Sequence, residues 1–578
     1  MRRIVEVAVC SFFFALASAW MNAAVVHSQM RPDAGTLLQE QQRNQPRALE
    51  RLTPGEVEKE RPPLQETGIK FLVRGFRFSG NEGIITDADL NNLLKDAVGQ
   101  EIGLTGLRRL AERVTKYLHK KGWFLARAYI PQQEIKDGIV EIAIIAGKIE
   151  GKAVIRGQNL RMSEEILRKM VEPSTTEGGA VKQQDLTRDL LLMNDLPGIH
   201  ASSTLEPGEA EGTAKVVVDT SEGPLLSGRL WGDNYGDRFT GEYRGNGLLQ
   251  LNDPFRYGDQ VTLSTTDNYF YQYGQANYTF PILYNGLRAG FVYSEMRYKL
   301  DPDLVTLDVD GGSRVAGTTL AYPIIRSRTL NLWTGADYYY KNLWDNAIGV
   351  KLDDKVVNVG GVHLYGDMLD TLCGGGYTTF SAGLNGGDLD LSRVQANLEA
   401  DAQTAKSDGA FGKFTFGASR LQKIYGDLNF FLSLNGQIAF DNLDTSEKFL
   451  LGGPYGVRAY PVGEAPGDSG GVLTSELRYD FREIKTIGFP QLVGFFDLGW
   501  TELHNSPWAN SGTPIGNRNS YAISGGGFGL NLNKPNVYSI RLAWAVEAGS
   551  NPGRTVDGKD ADGKSDSNRY WLQVMASF

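Results

Sequence analysis

The 578 residues carry 59 Lys and Arg against 68 Asp and Glu, a net charge of −9, with 69 glycines, 10% aromatic and 41% hydrophobic residues. That length exceeds one ordinary domain, and the acidic balance argues against nucleic acid as a partner. Beyond the N-terminus no apolar run approaches the roughly 18 residues of a transmembrane helix, which excludes a helical membrane bundle but not a barrel, whose strands leave a weak hydropathy signal.

Arg2 and Arg3, the apolar run 7–19 and small residues as far as Ser28 read as a secretory signal peptide, residues 1–28. Cys10 lies in that leader, so the mature chain keeps Cys373 alone and has no intrachain disulfide. Residues 34–44, with Leu37, Leu38, Gln39 and Arg43, predict a short polar helix inside a segment 29–45. Pro46, Pro54, Pro62 and Pro63 cannot continue it and make 46–68 a linker.

Two copies of a strand, helix, helix, strand, strand unit follow, over 69–147 and 148–223. In the first, 71–78 is a strand, 86–98 and 104–121 are helices, and 123–130 and 139–146 are strands. The second repeats the order with strands at 153–155, 199–205 and 214–219 and helices at 163–170 and 184–196. Gly80 matches Gly157 and Gly122 matches Gly198, which argues for a duplicated module. Leu107, Leu110, Val114 and Leu118 recur at helical spacing and predict a core-facing stripe. Binding is expected at open sheet edges, where unpaired N–H and C=O groups can accept an incoming extended chain.

From residue 224 to 578 the pattern is that of an outer-membrane β-barrel. Tyr538, Ile540, Leu542, Trp544 and Val546 alternate with Ser539, Arg541, Ala543 and Ala545, an apolar face against a lumen-compatible one. Residues 570–578 repeat this, with Tyr570, Leu572, Val574, Ala576 and Phe578 on one face. In lipid only a closed barrel satisfies the backbone of a sheet. The mature chain is therefore expected in the outer membrane, with its N-terminal modules in the periplasm and lipid and the barrel-assembly machinery among its partners.

Two motifs sharpen the reading. Gly452 and Gly453, then Val457, Arg458, Ala459 and Tyr460, resemble the Val-Arg-Gly-aromatic loop signature of two-partner secretion transporters, the haemolysin secretion/activation family, and Phe495, Asp497 and Gly499 resemble its Phe-x-Asp-x-Gly strand signature. The resemblance covers the mature chain, its modules being similar to polypeptide-transport-associated (POTRA) domains. It implies a membrane β-barrel of 16 antiparallel strands preceded by two periplasmic α+β POTRA-like modules, with about 22 residues for each strand and its turn. It implies that the loop folds into the barrel, that Arg458 pairs with Asp497 on the wall, and that Phe578 ends the strand that targets the barrel. Ala459 stands where the family has glycine, which puts a left-handed conformation there in doubt.

The function implied is a non-enzymatic pore that recognises a large secreted exoprotein, of adhesin or haemolysin type, through the POTRA-like modules and passes it to the cell surface. A barrel-assembly factor is the alternative, although such relatives usually carry more modules; a diffusion porin has no use for two. Gly467, Asp468, Ser469, Gly470 and Gly471 mimic the surroundings of a serine-protease nucleophile, but none of the five histidines stands in a protease-like context. Asp557, Asp560, Asp562, Gly563 and Asp566 miss the register of a calcium loop and read as an acidic extracellular loop. No catalytic, cofactor or metal site is predicted, because phosphate-loop and zinc spacings are missing.

Overall fold

A computed structural model describes residues 31–44, 70–210 and 212–578. The signal peptide and the proline-containing linker, residues 1–28 and 46–68, lie outside the described residues.

Alternation of side chains does what the sequence pattern requires: sixteen antiparallel strands close into a barrel, from Leu226–Asp233 to Asn568–Ser577. The seam between first and last strands runs from Arg229↔Ser577 to Asp233↔Gln573. On the last strand Tyr570, Leu572 and Val574 face outward while Trp571, Gln573 and Met575 are buried. Strands lengthen from 8 residues at the seam to 21 at Val350–Asp370. The outward rows carry Leu, Val, Phe, Tyr and Trp, the only face that lipid tolerates.

In the first module, strands Gly75–Ser79, Ile139–Ile145 and Arg127–Tyr129 form one sheet covered by helices Asp87–Leu94 and Leu104–Lys120. Leu107, Ala111, Val114 and Leu118 are the buried stripe, with Leu110 partly buried beside them. Two expected strands are shorter than the pattern suggests. The run at 71–78 divides, because Lys70–Leu72 pairs with Glu101–Gly103 while Gly75–Ser79 pairs with Ile139–Ile145. The start of 123–130 is a turn instead, closed by the Ala126 N–H donating to the Trp123 carbonyl (3.0 Å) and anchored by the Trp123 indole donating to the Ile84 carbonyl (3.1 Å).

The next unit has strand Thr213–Glu222 at its centre, paired antiparallel with Ile199–Pro207 on one side and parallel with Val154–Arg156 on the other. Helices Glu164–Val171 and Gln183–Asn194 cover it through Leu167, Met170, Leu186, Leu192 and Met193.

The short polar helix, Ala34–Arg43, sits inside the barrel. Asp33 caps it, accepting from the Thr36 N–H at 2.8 Å. Leu37 and Leu38 pack among Tyr271, Met296, Tyr298, Leu343 and Val357 of the wall, and the Ala34 N–H donates to Asp345 (3.1 Å).

Candidate functional site

Strands Leu428–Ala439 and Ser469–Asp480 pair directly, so the chain between them, 440–468, leaves the wall and must return. It folds into the lumen. Gly453 takes φ +103, a conformation open to glycine, and the hairpin is closed by Val457 N–H to the Leu451 carbonyl (2.9 Å) and Gly453 N–H to the Tyr460 carbonyl (3.1 Å). Gly452 lies where a Cβ would meet Glu464 at 2.6 Å. Val457, Ala459 and Tyr460 are fully buried, and Arg458 reaches the charged groups of the wall.

There Arg458 meets Asp497 on strand Phe489–Glu502. Its Nε and Nη2 donate to the two carboxylate oxygens at 2.8 Å each, and its backbone N–H adds a third bond at 3.1 Å. The remaining nitrogen, Nη1, donates to Glu476 (2.8 Å), whose second oxygen accepts from Arg478 (2.8 Å). The Arg458 guanidinium lies 3.4 Å from the ring centre of Phe495, and that of Arg478 lies 3.9 Å from Phe431. Two cations, two carboxylates and two aromatic faces form a charge-balanced cluster. Burial alone would pull the Arg458 pKa down, but Asp497 and Glu476 outweigh it and hold the guanidinium above the usual arginine range. The Trp571 indole, from the last strand, donates to the Arg458 carbonyl at 2.7 Å.

Two glycines make the fit possible. A Cβ on Gly499 would lie 2.8 Å from the Val457 Cγ2 and 3.1 Å from Leu451, so the hairpin rests on bare backbone. The Ala459 methyl occupies the space left open at Gly525, and Ala459 stays outside the left-handed region, so the alanine is accommodated by the wall.

The lumen helix grips the same hairpin. Arg43 donates to the carbonyls of Leu450, Leu451 (3.1 Å), Gly452 (3.0 Å) and Tyr455 (3.5 Å). Asp33 accepts from Thr445 (2.6 Å), and Lys355 joins Asp444 (2.8 Å) and Asp353 (3.1 Å). Beside the cluster a cavity of about 820 Å³ remains, lined by Arg458, Glu476, Arg478, Arg541, Trp571 and hydroxyls such as Ser433.

Sequence motifs brought Arg458, Asp497, Phe495, Gly499 and the hairpin residues to attention, and the fold puts them in one place. Phe578 is elsewhere: its ring covers Gly228 on the outer face of the seam, and its backbone exchanges two bonds with Gly228 (2.9 and 3.0 Å). Glu476, Arg478, Arg43 and Trp571 were missed. The one signal for the first two was a pair of opposite charges two apart on an inward strand face.

The protease-like run is structural. Asp468 is buried, accepting from Lys448 (2.6 Å) and the N–H groups of Leu443 (3.2 Å) and Asn505 (2.9 Å), which ties down both ends of the inward loop. The acidic stretch before the last strand is less solvated than its composition suggests. Asp560 and Asp562 are buried against Arg554 (2.8 Å) and Arg569 (2.8 Å), and Asn551 and the Ala561 N–H hold Glu464 of the inward loop at 2.8 and 2.7 Å. Burial, then Asp560, pushes the Glu464 carboxyl up to about 7.

Residues 212–532 match the family model described as haemolysin secretion/activation protein ShlB/FhaC/HecB, and residues 71–147 match that of the ShlB-type POTRA domain. The chain is 25% identical to the heme/hemopexin transporter protein HuxB of Haemophilus influenzae, with 95% of each chain covered. It is 25% identical to the outer membrane transporter CdiB of Escherichia coli, over 82% of this chain and 80% of that one. Among solved structures, CdiB from Escherichia coli superposes with a TM-score of 0.72 at 19% identity, covering 95% of this chain and 99% of that one.

Proposed function

The chain belongs to the haemolysin secretion/activation protein family, as an outer-membrane transporter that moves a large partner exoprotein from the periplasm to the cell surface, and from that premise we propose how its parts share the task. The N-terminal modules lie in the periplasm. The first captures the N-terminal region of the exoprotein at a sheet edge, and residues 148–223 act as a second such module that hands it to the barrel. The exoprotein crosses as an extended chain and folds outside, where a folded segment cannot slide back. This reading needs no catalytic step. Lipid surrounds the barrel's apolar band, and the barrel-assembly machinery recognises the strand that Phe578 ends.

Arg458 and Asp497 act as the clamp that keeps the inward loop at its working position while the lumen helix yields. The observation that supports this is the two-pronged bond between them, sealed in a balanced cluster, with Asp497 fully buried. Removing one partner strands the other charge, at about 3–5 kcal/mol for a buried pair.

The test is export of the exoprotein from cells carrying Arg458→Ala, Asp497→Ala or both, with barrel abundance measured alongside. Equal loss in the singles and the double at normal abundance is the expected result. Full export from all three removes the clamp role, and no export from the intact protein would return the assembly-factor alternative.

A further inference from the structure

Asp195 breaks a local rule. It caps the C-terminus of helix Gln183–Asn194, where the helix dipole disfavours an acid, and the last turn of that helix has no basic residue to offset it. A local conflict of this kind points to a gain made elsewhere. The gain lies on the barrel. Arg326, at the periplasmic end of strand Val309–Arg326, holds Asp195 with both prongs of its guanidinium, Nε to Oδ2 at 2.8 Å and Nη2 to Oδ1 at 2.7 Å. Its third nitrogen is fixed by Asn331 (2.7 Å), which in turn donates to Asp367 (2.9 Å).

The barrel is shaped to receive the helix at three successive periplasmic turns. At the first, Gly258 takes φ +90 and a Cβ there would lie 2.8 Å from Leu196. At the second, Gly286 takes φ +98 and a Cβ would lie 2.8 Å from Leu192. At the third, the strand carries an irregularity in register between Pro323 and Ile325, and the Pro323 carbonyl accepts from Arg188 at 3.0 Å. On its other side the unit continues covalently into the barrel through 223–225, where the Gly223 N–H donates to the Gly198 carbonyl (2.7 Å) and the Asn252 side chain of the barrel donates to the Pro224 carbonyl (3.1 Å). A covalent joint under the first strand and an ionic joint under the sixth make two attachments, and two attachments fix an orientation.

We propose that Asp195 and Arg326 are positioning residues for export: they hold residues 148–223 as a fixed extension of the barrel mouth, so that only the parts before it move when the exoprotein is captured. This rests on the transporter reading above and adds to it a division between a rigid and a mobile part of the periplasmic region. Rigid placement converts capture into delivery, because a chain bound at the sheet edge is already held beside the pore.

The test compares Asp195→Arg, Arg326→Asp and the double exchange Asp195→Arg/Arg326→Asp in the full transporter, scoring export, barrel abundance and binding of the exoprotein's N-terminal fragment to purified protein. Export should fall at least about tenfold in each single variant, the factor that losing a charge-assisted bond carries, while fragment binding and abundance stay unchanged. The double exchange should export well above either single. A second measurement joins Asp195→Cys to Arg326→Cys with a short bis-maleimide in a Cys373→Ser background, and joining should restore the export that the unjoined pair, lacking both charges, has lost. Normal export from both single variants, no gain in the double exchange, or no recovery on joining would each overturn the proposal. Failure of the intact protein to export the exoprotein would instead sink the transporter reading on which it rests.

Discussion

The inward loop and the lumen helix occupy the same barrel but are held by different physics. The loop is bound at its heart by Arg458, whose buried guanidinium and backbone N–H make three bonds to one carboxylate, and both its ends continue into wall strands. The helix is held by Leu37 and Leu38 against wall aromatics, by the cap at Asp33, and by amide bonds such as Gln41 to Thr266 (2.9 Å). Bonds to backbone, hydroxyl and amide groups and a few apolar contacts exchange for water more readily than a buried two-pronged ion pair does. The contrast accords with the proposal that the helix yields while the loop stays, with Arg43 as the joint between them.

The largest effect should come from breaking the loop side. Arg458→Ala is expected to cost about 3–5 kcal/mol of loop anchoring, read as new protease cleavage within 440–468 at unchanged barrel abundance. Next is the joint. Arg43→Ala removes donors to four loop carbonyls, worth about 1.5–3 kcal/mol for charge-assisted bonds, and should raise the frequency of open-pore conductance in planar bilayers without new loop cleavage. Conductance and cleavage rising together in that variant would break the contrast.

Gly499→Ala is a milder challenge to the loop. Its Cβ would press on Val457 at 2.8 Å, so overpacking of about 1–2 kcal/mol should lower the temperature at which the loop becomes cleavable, with conductance little changed.

The smallest effect concerns protons. Glu40 of the helix is buried, and burial first, then Asp237, raise its carboxyl well above the usual glutamate range, against the opposing pull of Arg244 and Arg43. The seated helix therefore holds a proton that a released helix loses. Seating is favoured below the ordinary glutamate pKa and weakens as pH rises through the raised one. Open-pore conductance should increase between acid and neutral pH, and Glu40→Gln should flatten that dependence while loop cleavage stays independent of pH.

Much of this was readable in the chain. Period-two alternation at Tyr538–Glu547 and Asn568–Ser577 announced a barrel wall, since lipid on one side and a polar lumen on the other leave no other pattern. The helical stripe of the first module was equally plain. What escaped was whatever depends on pairing across long sequence distance. Glu476 and Arg478 look like any polar inward face until Arg458 arrives at the free oxygen of Glu476. Asp195 and Arg326 are 131 residues apart and carry no motif. Lys70–Leu72 reads as one strand with its neighbours, because a residue pattern does not say which of two sheets will claim each half.

The balanced cluster around Arg458 also bears on where this protein works. Water outside the outer membrane has no regulated ionic strength, and screening lengths there run from about 30 Å in dilute water to about 3 Å in molar salt. An exposed ion pair would tighten and loosen with every such change. Asp497 is fully buried and its partner nearly so, and the four charges cancel within one contact network, so ions in solution find little field to screen. The loop should be as firmly seated in brine as in fresh water.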